Sequence, residues 1–235
     1  MRKFSLLFIL VFTIGFAQAQ SAKTIFKNLI NKNKDSLSTN DVTSGLKEAL
    51  NTGVNSGTNK LSAADGFFKD AAIKILMPPE AVKVENKLRT LGLGKQVDDA
   101  ILSMNRAAED ATKSAAPIFL DAIKQMNISD AWNILKGGDS AATKYLREKT
   151  TASLTTAFKP VIATALEKTD ATKYWNTLFT TYNKFSLNKI NPDLESYVTG
   201  KALEGIFYEI AQQESQIRKD PAARTTDILK KVFAR

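Results

Sequence analysis

The chain of 235 residues contains no cysteine and no histidine. Without cysteine it has no disulfide, no thiol nucleophile and no lipid-bearing cysteine, so the fold must be stable through its hydrophobic core. Without histidine it has no Ser-His-Asp triad, no Cys-His dyad and no histidine-containing zinc site. The side chain best suited to proton transfer near neutral pH is also missing. The composition therefore argues against an enzyme, and we assign no catalytic, cofactor-binding or metal-binding residues.

Glycine and proline are also scarce, with 11 and 6 residues respectively. No linker rich in these residues divides the chain. No alternating apolar and polar run is long enough for a sheet, and AIKIL (Ala72–Leu76) is a short candidate for extended chain. Apolar residues instead recur at helical spacing. The sequence thus predicts an all-α fold, a single compact domain of about eight to ten short helices without substantial sheet.

Positive charge exceeds negative charge, with 33 Lys and Arg against 24 Asp and Glu and a net charge of +9. The excess is dispersed along the chain. A dispersed positive field favours anionic partners such as phospholipid headgroups, envelope polyanions or acidic proteins, although it is also explained by solubility alone. No nucleic-acid recognition motif appears, so no nucleic-acid partner is expected. The sequence leaves the oligomeric state open.

The N-terminus has the pattern of a secretory signal peptide. Arg2 and Lys3 precede an apolar run at 4–16, and the small residues Ala17 and Ala19 follow. We expect cleavage after Ala19 and a periplasmic or secreted protein without a membrane span, since the run is short for a spanning helix; a retained anchor is the alternative. The expected organisation is a signal peptide at 1–19, a lead-in at 20–36 that leaves room for a short helix, and one helical domain at 37–235.

The first strong helical pattern carries a ridge of small residues. Gly45, Ala49, Gly53 and Gly57 recur at four-residue steps, so they align along one side of a helix. Glycine inside a helix costs about 1 kcal/mol relative to alanine, so this small-residue ridge needs a reason. Two interpretations remain open: tight packing against a neighbouring helix of the chain, or contact with a partner helix or ligand.

Local signals in the middle of the chain set several helix ends. Val84, Leu88 and Leu91 line one helix face, and the following glycines of LGLG are expected to end that helix. Pro117 is expected to break or kink the next helical run. Ser129 is the expected cap of the short helix in DAWNILK, which should stop at the glycine pair 137–138.

The C-terminal segment RKDPAARTTDILKKVF combines cations and hydroxyls before a short predicted helix. Guanidinium groups, hydroxyls and free backbone N–H groups together suit a phosphate or carboxylate. The candidate anion site comprises Arg218, Lys219, Arg224, Thr225 and Thr226. The alternative is internal: Arg224 pairs with a carboxylate such as Asp220 or Glu214 and fastens the last helix to the core.

Two further groups of residues invite a functional interpretation. In QVDDAILSMNRAAED, a candidate polar cluster comprises Asp98, Asn105, Arg106 and Glu109. Its oxygens could face one Ca²⁺ or Mg²⁺, but the looped spacing of calcium sites is missing, so solvation and salt bridges explain it better. In DGFFKD, Phe67 and Phe68 are expected to divide, with one in the core and the other at a pocket or partner. We interpret the aromatic group Tyr174, Trp175, Phe179 and Tyr182 as core.

Several blocks carry a resemblance to a known family. They include LGLGKQVDD, MNRAAEDA, ILKGGDSAAT, KALEGIFYEIA and IRKDPAARTTDILKKVF, and they occur in the family's order from about Leu37 to the end of the chain. On these blocks the chain resembles the bacterial envelope family catalogued as domain of unknown function 4197. The resemblance implies an exported, mostly helical bacterial protein, and it implies no activity.

Two functions from different classes follow as expectations. The leading one is a non-enzymatic helical binding or interaction protein of the bacterial cell envelope, whose partner is an envelope protein or an anionic lipid or other amphiphile. The alternative is a carboxylate- or lysine-dependent hydrolase of an envelope polymer, which requires facing carboxylates with perturbed pKa values.

Overall fold

Apolar residues at helical spacing produce helices along most of the second of two compact units, Met1–Asn40 and Asp41–Arg235. The structure, a computed structural model, describes residues 38–168, 175–176, 179–180, 182–184, 189, 193–224 and 226–233, without the side chains of 228 and 229. The predicted signal peptide and lead-in at 1–36 lie outside the described residues, as do Thr225 and Tyr174.

The helices in chain order are α1 (Thr39–Ser62), α2 (Val82–Thr90), α3 (Gly94–Thr112), α4 (Ala115–Gln125), α5 (Ile128–Lys136), α6 (Ala141–Glu167), α7 (Leu194–Lys219) and α8 (Asp227–Phe233). Single 3₁₀ turns precede α2 at Pro79–Ala81 and follow α7 at Pro221–Ala223. The described residues contain no strand, and the predicted all-α domain is confirmed. The AIKIL segment, which the sequence left as a candidate for extended chain, belongs to the irregular connection between α1 and the first 3₁₀ turn.

Helix α6 lies at the centre of the domain and packs against α3, α4, α5 and α7. Its buried face repeats at four-residue steps through Leu154, Phe158, Ile162 and Leu166, each fully buried. This repeat is the pattern that keeps one side of a helix against a core. One main cluster of buried apolar side chains joins the helices around α6.

Two local expectations for the middle of the chain need adjustment. Asn127, not Ser129, caps α5: its side chain accepts from the Asp130 N–H, and the Asp130 carboxylate accepts from the Asn127 N–H in return. Ser129 was wrong because this reciprocal capping box satisfies two donors at once. The break before α4 falls at 113–114, and Pro117 occupies the first turn of α4, where proline has no helical hydrogen bond to lose.

Candidate functional site: a cavity beside α3

A large cavity of about 1260 Å³ lies along α3 in the part of the chain that the structure describes. It exceeds the roughly 300–1,000 Å³ typical of pockets for drug-sized ligands. Most of the wall is aliphatic, aromatic or thioether in character. Its main apolar residues are Met77, Leu88, Val97, Met104, Trp175 and Phe179.

The turn between α2 and α3 forms one edge of this cavity. The Leu93 N–H donates to the Leu88 carbonyl at 3.0 Å, and the Gly92 N–H donates to the Arg89 carbonyl at 3.1 Å. With φ of 82° at Gly92, these bonds form a Schellman motif, which brings the residues at both of its ends together. Leu88 and Leu93 consequently both line the cavity, while Leu91 stays 66% exposed.

Another part of the cavity wall is aromatic and includes a hydrogen-bond donor that is unpaired among the described residues. The Trp175 and Phe179 rings lie 4.4 Å apart, and Trp175 stacks on Tyr197 at 6.1 Å between centroids. The Trp175 indole N–H is buried and has no hydrogen-bond partner among the described residues. Tyr197 donates its hydroxyl proton to the Leu76 carbonyl at 2.7 Å. Burial, with smaller contributions from the charges of Glu204 and Glu80, raises the pKa of Tyr197 to about 12.

Charged side chains at the cavity are mostly neutralised by each other. Arg106 binds Glu109 and Asp65, each at 2.6 Å. Lys113 binds Asp110 at 2.7 Å, and the lining residue Asp99 is bound by Lys95 at 2.6 Å. Lys168 is different: it lines the cavity at the C-terminal end of α6, is exposed, and makes no ion pair with a described residue. Among the described residues, Lys168 therefore gives the cavity a cation without an ion-pair partner.

The candidate polar cluster does not converge on one point. The Asn105 amide accepts from the Ile75 N–H at 2.9 Å and donates to the Ile75 carbonyl at 2.8 Å. The Glu109 carboxylate accepts from the Phe67 N–H at 3.0 Å. Asp98 is exposed and bound by Arg89, which lowers its pKa. Among the described residues no group of three acidic side chains is arranged for a metal ion.

These buried contacts have a structural consequence instead. The connection at 63–78 forms no helix, so its backbone groups lack the regular hydrogen bonds of a helix. The side chains of Asn105 and Glu109 accept hydrogen bonds from some of these backbone N–H groups instead. Phe67 is fully buried, whereas Phe68 is half-buried with the Lys74 ammonium 3.9 Å above its ring. Phe67 and Phe68 thus divide into a core residue and a surface residue.

The candidate anion site is distributed over several internal contacts. Arg218 donates to the Glu214 carboxylate at 2.9 Å and to the Ile134 carbonyl at 2.8 Å. Lys219 binds Asp139 at 2.8 Å, which lowers the pKa of that aspartate. The expectation that Arg224 pairs with Asp220 or Glu214 was wrong: its guanidinium donates to the carbonyls of Ile217 and Arg218 at 3.0 and 2.8 Å. The last carbonyls of α7 attract a cation because the helix dipole is negative there.

Thr225 of this candidate site lies outside the described residues. The backbone carbonyl of Thr226 accepts from the Lys230 N–H at 3.0 Å in the first turn of α8. The anion site at these five residues therefore remains a prediction from the sequence. The described contacts of its three cations are with groups of the protein itself.

The small-residue ridge faces α7. All four members are buried. A Cβ atom on Gly53 would lie 3.4 Å from Gln213 Cβ, and one on Gly57 would lie 3.2 Å from Glu209 Cγ. The absence of a side chain at Gly57 lets α7 approach α1 closely, whereas a Cβ at Gly53 would make an ordinary contact. The buried Glu209 beside Gly57 binds Lys60 at 2.7 Å. This face of α1 is occupied within the chain at these two glycines.

Comparison with protein families matches residues 36–234 to the family described as protein of unknown function DUF4197. The chain belongs to this family. The match extends over nearly the whole of the second compact unit and agrees with the blocks quoted from the sequence. Comparison with curated proteins finds no match, and comparison with solved structures finds none either. No described helix of this DUF4197 member is long and apolar enough to cross a membrane.

Sequence reasoning missed the cavity. Its wall combines α2, α3, the end of α6 and the aromatic residues after α6, so no short stretch of sequence carries it. One local signal was present: Leu88 and Leu93 stand four residues before and one residue after the helix-ending Gly92, the two positions whose apolar side chains meet in a Schellman motif.

Proposed function

We propose that the protein is a non-enzymatic binding protein of the bacterial cell envelope that holds an anionic amphiphile in the cavity beside α3. The observation that carries the proposal is the combination of a large apolar wall with the unmatched cation Lys168. An acyl chain would lie along Met104, Trp175 and Phe179, and its acidic headgroup would lie at Lys168. The envelope location rests on the N-terminal sequence pattern, which is independent of the cavity.

The charge of the cavity selects the ligand class. Burying an apolar chain is favourable by about 25 cal/mol per Å² and needs no directed contacts. An acidic headgroup also needs a cation that is not already paired with an acidic side chain of the protein. The acids at the wall are each bound by another side chain, as described above, so they leave Lys168 available. A fatty acid or another single-charged lipid meets both requirements, whereas a neutral alcohol of the same length meets only the first.

The two tryptophans of the chain provide the assay. Trp132 lies on α5 beside Lys136 and does not line the cavity, while Trp175 does. In a Trp132→Phe variant, Trp175 is the only tryptophan, and its fluorescence is expected to change on addition of palmitate to lipid-stripped protein. In the reverse variant, Trp175→Phe, palmitate is expected to leave the remaining signal from Trp132 unchanged.

The headgroup position is tested by comparing two exposed lysines, Lys168 directly after α6 and Lys144 in its first turn. In the Trp132→Phe background, Lys168→Ala should weaken palmitate binding by about fivefold to tenfold, the effect of one charge-assisted contact, and should not change binding of hexadecanol. Lys144→Ala, which removes an exposed charge away from the cavity, should change neither. The proposal fails if palmitate does not bind, or if both lysine variants have the same effect.

The hydrolase stays an untested alternative. Its requirement is a pair of facing carboxylates, and the buried glutamates of the described residues are held separately. Glu109 binds Arg106, Glu209 binds Lys60, and Glu214 binds Arg218. We therefore base the proposal on binding.

A further inference from the structure

We infer that the hairpin formed by α2 and the start of α3 docks on an anionic lipid bilayer, with the Leu91 side chain entering the interface and Lys83 and Lys87 contacting the headgroups. This inference concerns the outer surface of the protein and holds whether or not the cavity binds an amphiphile. The partner is identified by its chemistry: a bilayer whose headgroups are negatively charged and whose acyl interior is apolar.

The exposed apolar residues at this hairpin are the first argument. Helix α2 is amphipathic but buries none of its residues; Val84 and Leu88 pack against the core only in part. Val82 is 42% exposed and Leu91 is 66% exposed. The Schellman motif described above fixes this arrangement, because it turns Leu88 and Leu93 toward the cavity and leaves Leu91 outside. Leu93, two residues after Leu91, is 39% exposed, so two large apolar side chains reach the surface at this turn, and such neighbours often mark an interaction site.

The charge next to Leu91 is the second argument. Lys83, Lys87 and Leu91 follow one another at four-residue steps, so they share one face of α2. Both lysines are exposed and make no ion pair with a described residue, whereas the neighbouring Arg89 binds Glu85 and Asp98, and Lys95 binds Asp99. Two lysines without an ion pair to a described residue, beside an exposed leucine, match the chemistry of an anionic bilayer: the leucine can enter the acyl boundary while the lysines contact the headgroups.

The position of the hairpin gives the docking a consequence. Leu88 and Leu93 belong to the same turn as Leu91 and line the cavity. A bilayer that contacts Leu91 would therefore lie next to the edge of the cavity. Docking of this turn would therefore place a lipid surface beside the apolar interior of the cavity.

Vesicle flotation tests the inference on the full chain. Vesicles of phosphatidylcholine with 30% phosphatidylglycerol should carry the protein at low salt, and pure phosphatidylcholine vesicles should not. The double variant Lys83→Ala/Lys87→Ala should lower the partition coefficient about twenty-five-fold, since each lysine near an anionic surface contributes about fivefold. Leu91→Ser should lower it about tenfold, because an exposed leucine loses its apolar burial in the interface.

The matched control is Lys144→Ala/Lys159→Ala, which removes two exposed lysines from α6 and the same total charge. It should reduce flotation much less, because its charges lie outside the hairpin. All variants alter exposed side chains that do not line the cavity, so palmitate binding should be retained, which separates this test from that of the cavity. Absence of wild-type flotation with anionic vesicles, or equal losses in control and hairpin variants, would overturn the inference and leave the exposed leucine to a protein partner.

Discussion

The carboxylate of Glu214 on α7 accepts both the backbone N–H and the hydroxyl of Thr143 at 2.8 Å, in the first turn of α6. Its other oxygen accepts from the Ala142 N–H at 3.0 Å and from Arg218 at 2.9 Å. The residue before α6, Ser140, makes no side-chain cap. A buried glutamate of a distant helix thus caps the positive end of the central helix, where an anion is favourable.

We expect Glu214→Gln to lower the free energy of unfolding by about 3 kcal/mol. The amide keeps an oxygen for one N–H group but leaves Arg218 without its carboxylate in a mostly buried position. The control is Glu204→Gln on the same helix, whose exposed pair with Lys201 should contribute less than about 1 kcal/mol. Urea unfolding of the two variants measures the difference, and equal losses would contradict a capping role.

Local patterns and long-range contacts differ in how far the sequence predicts them. The helix-ending glycine 92 and the buried repeat from Leu154 to Leu166 are readable because their causes lie within a few residues. The contact of Glu214 with Thr143 joins residues 71 positions apart, and no spacing rule connects them. The sequence therefore predicts helices and their apolar faces but not which carboxylate caps which helix.

The same reasoning explains the candidate sites. In the sequence, Arg218 and Arg224 are candidates for binding an anion. In the fold, both guanidinium groups donate hydrogen bonds to backbone carbonyls of the chain. The cavity was not predictable because its lining residues come from helices and connections that are far apart in the sequence. The residues that the sequence marked in the polar cluster, Asn105 and Glu109, hold the 63–78 connection instead.

Arg224→Ala should destabilise the protein by about 1–2 kcal/mol, because two carbonyls at the end of α7 lose a charged donor. Lys219→Ala, which removes only an exposed pair with Asp139, should cost less than about 1 kcal/mol. Thermal unfolding with and without inorganic phosphate distinguishes this role from an anion site. Weaker phosphate binding with little change in melting temperature would support the anion site.

Glycine-to-alanine substitutions should have opposite effects at two buried positions. At Gly53 the new Cβ would lie 3.4 Å from Gln213, an ordinary contact, so improved helix propensity should stabilise the protein by about 0.5–1 kcal/mol. At Gly205 it would lie 2.5 Å from Phe67 Cε1 in the core, and the overpacking should cost about 1–3 kcal/mol. Urea unfolding checks both, and stabilisation at Gly205 would contradict the tight packing of Phe67.

Acid unfolding should depend on the cap of α7. The Asp193 carboxylate accepts from the side chain and the backbone N–H of Ser196, and these bonds hold the pKa of Asp193 below its ordinary value of 3.8. A lowered folded-state pKa stabilises the protein above pH 3.8 and loses that contribution as the pH falls through the folded value. Asp193→Asn keeps a capping oxygen without this titration, so its free energy of unfolding should fall less steeply than that of the wild type below about pH 4. Urea unfolding at several acidic pH values measures the slopes, and identical slopes would show that this carboxylate contributes nothing to the pH dependence.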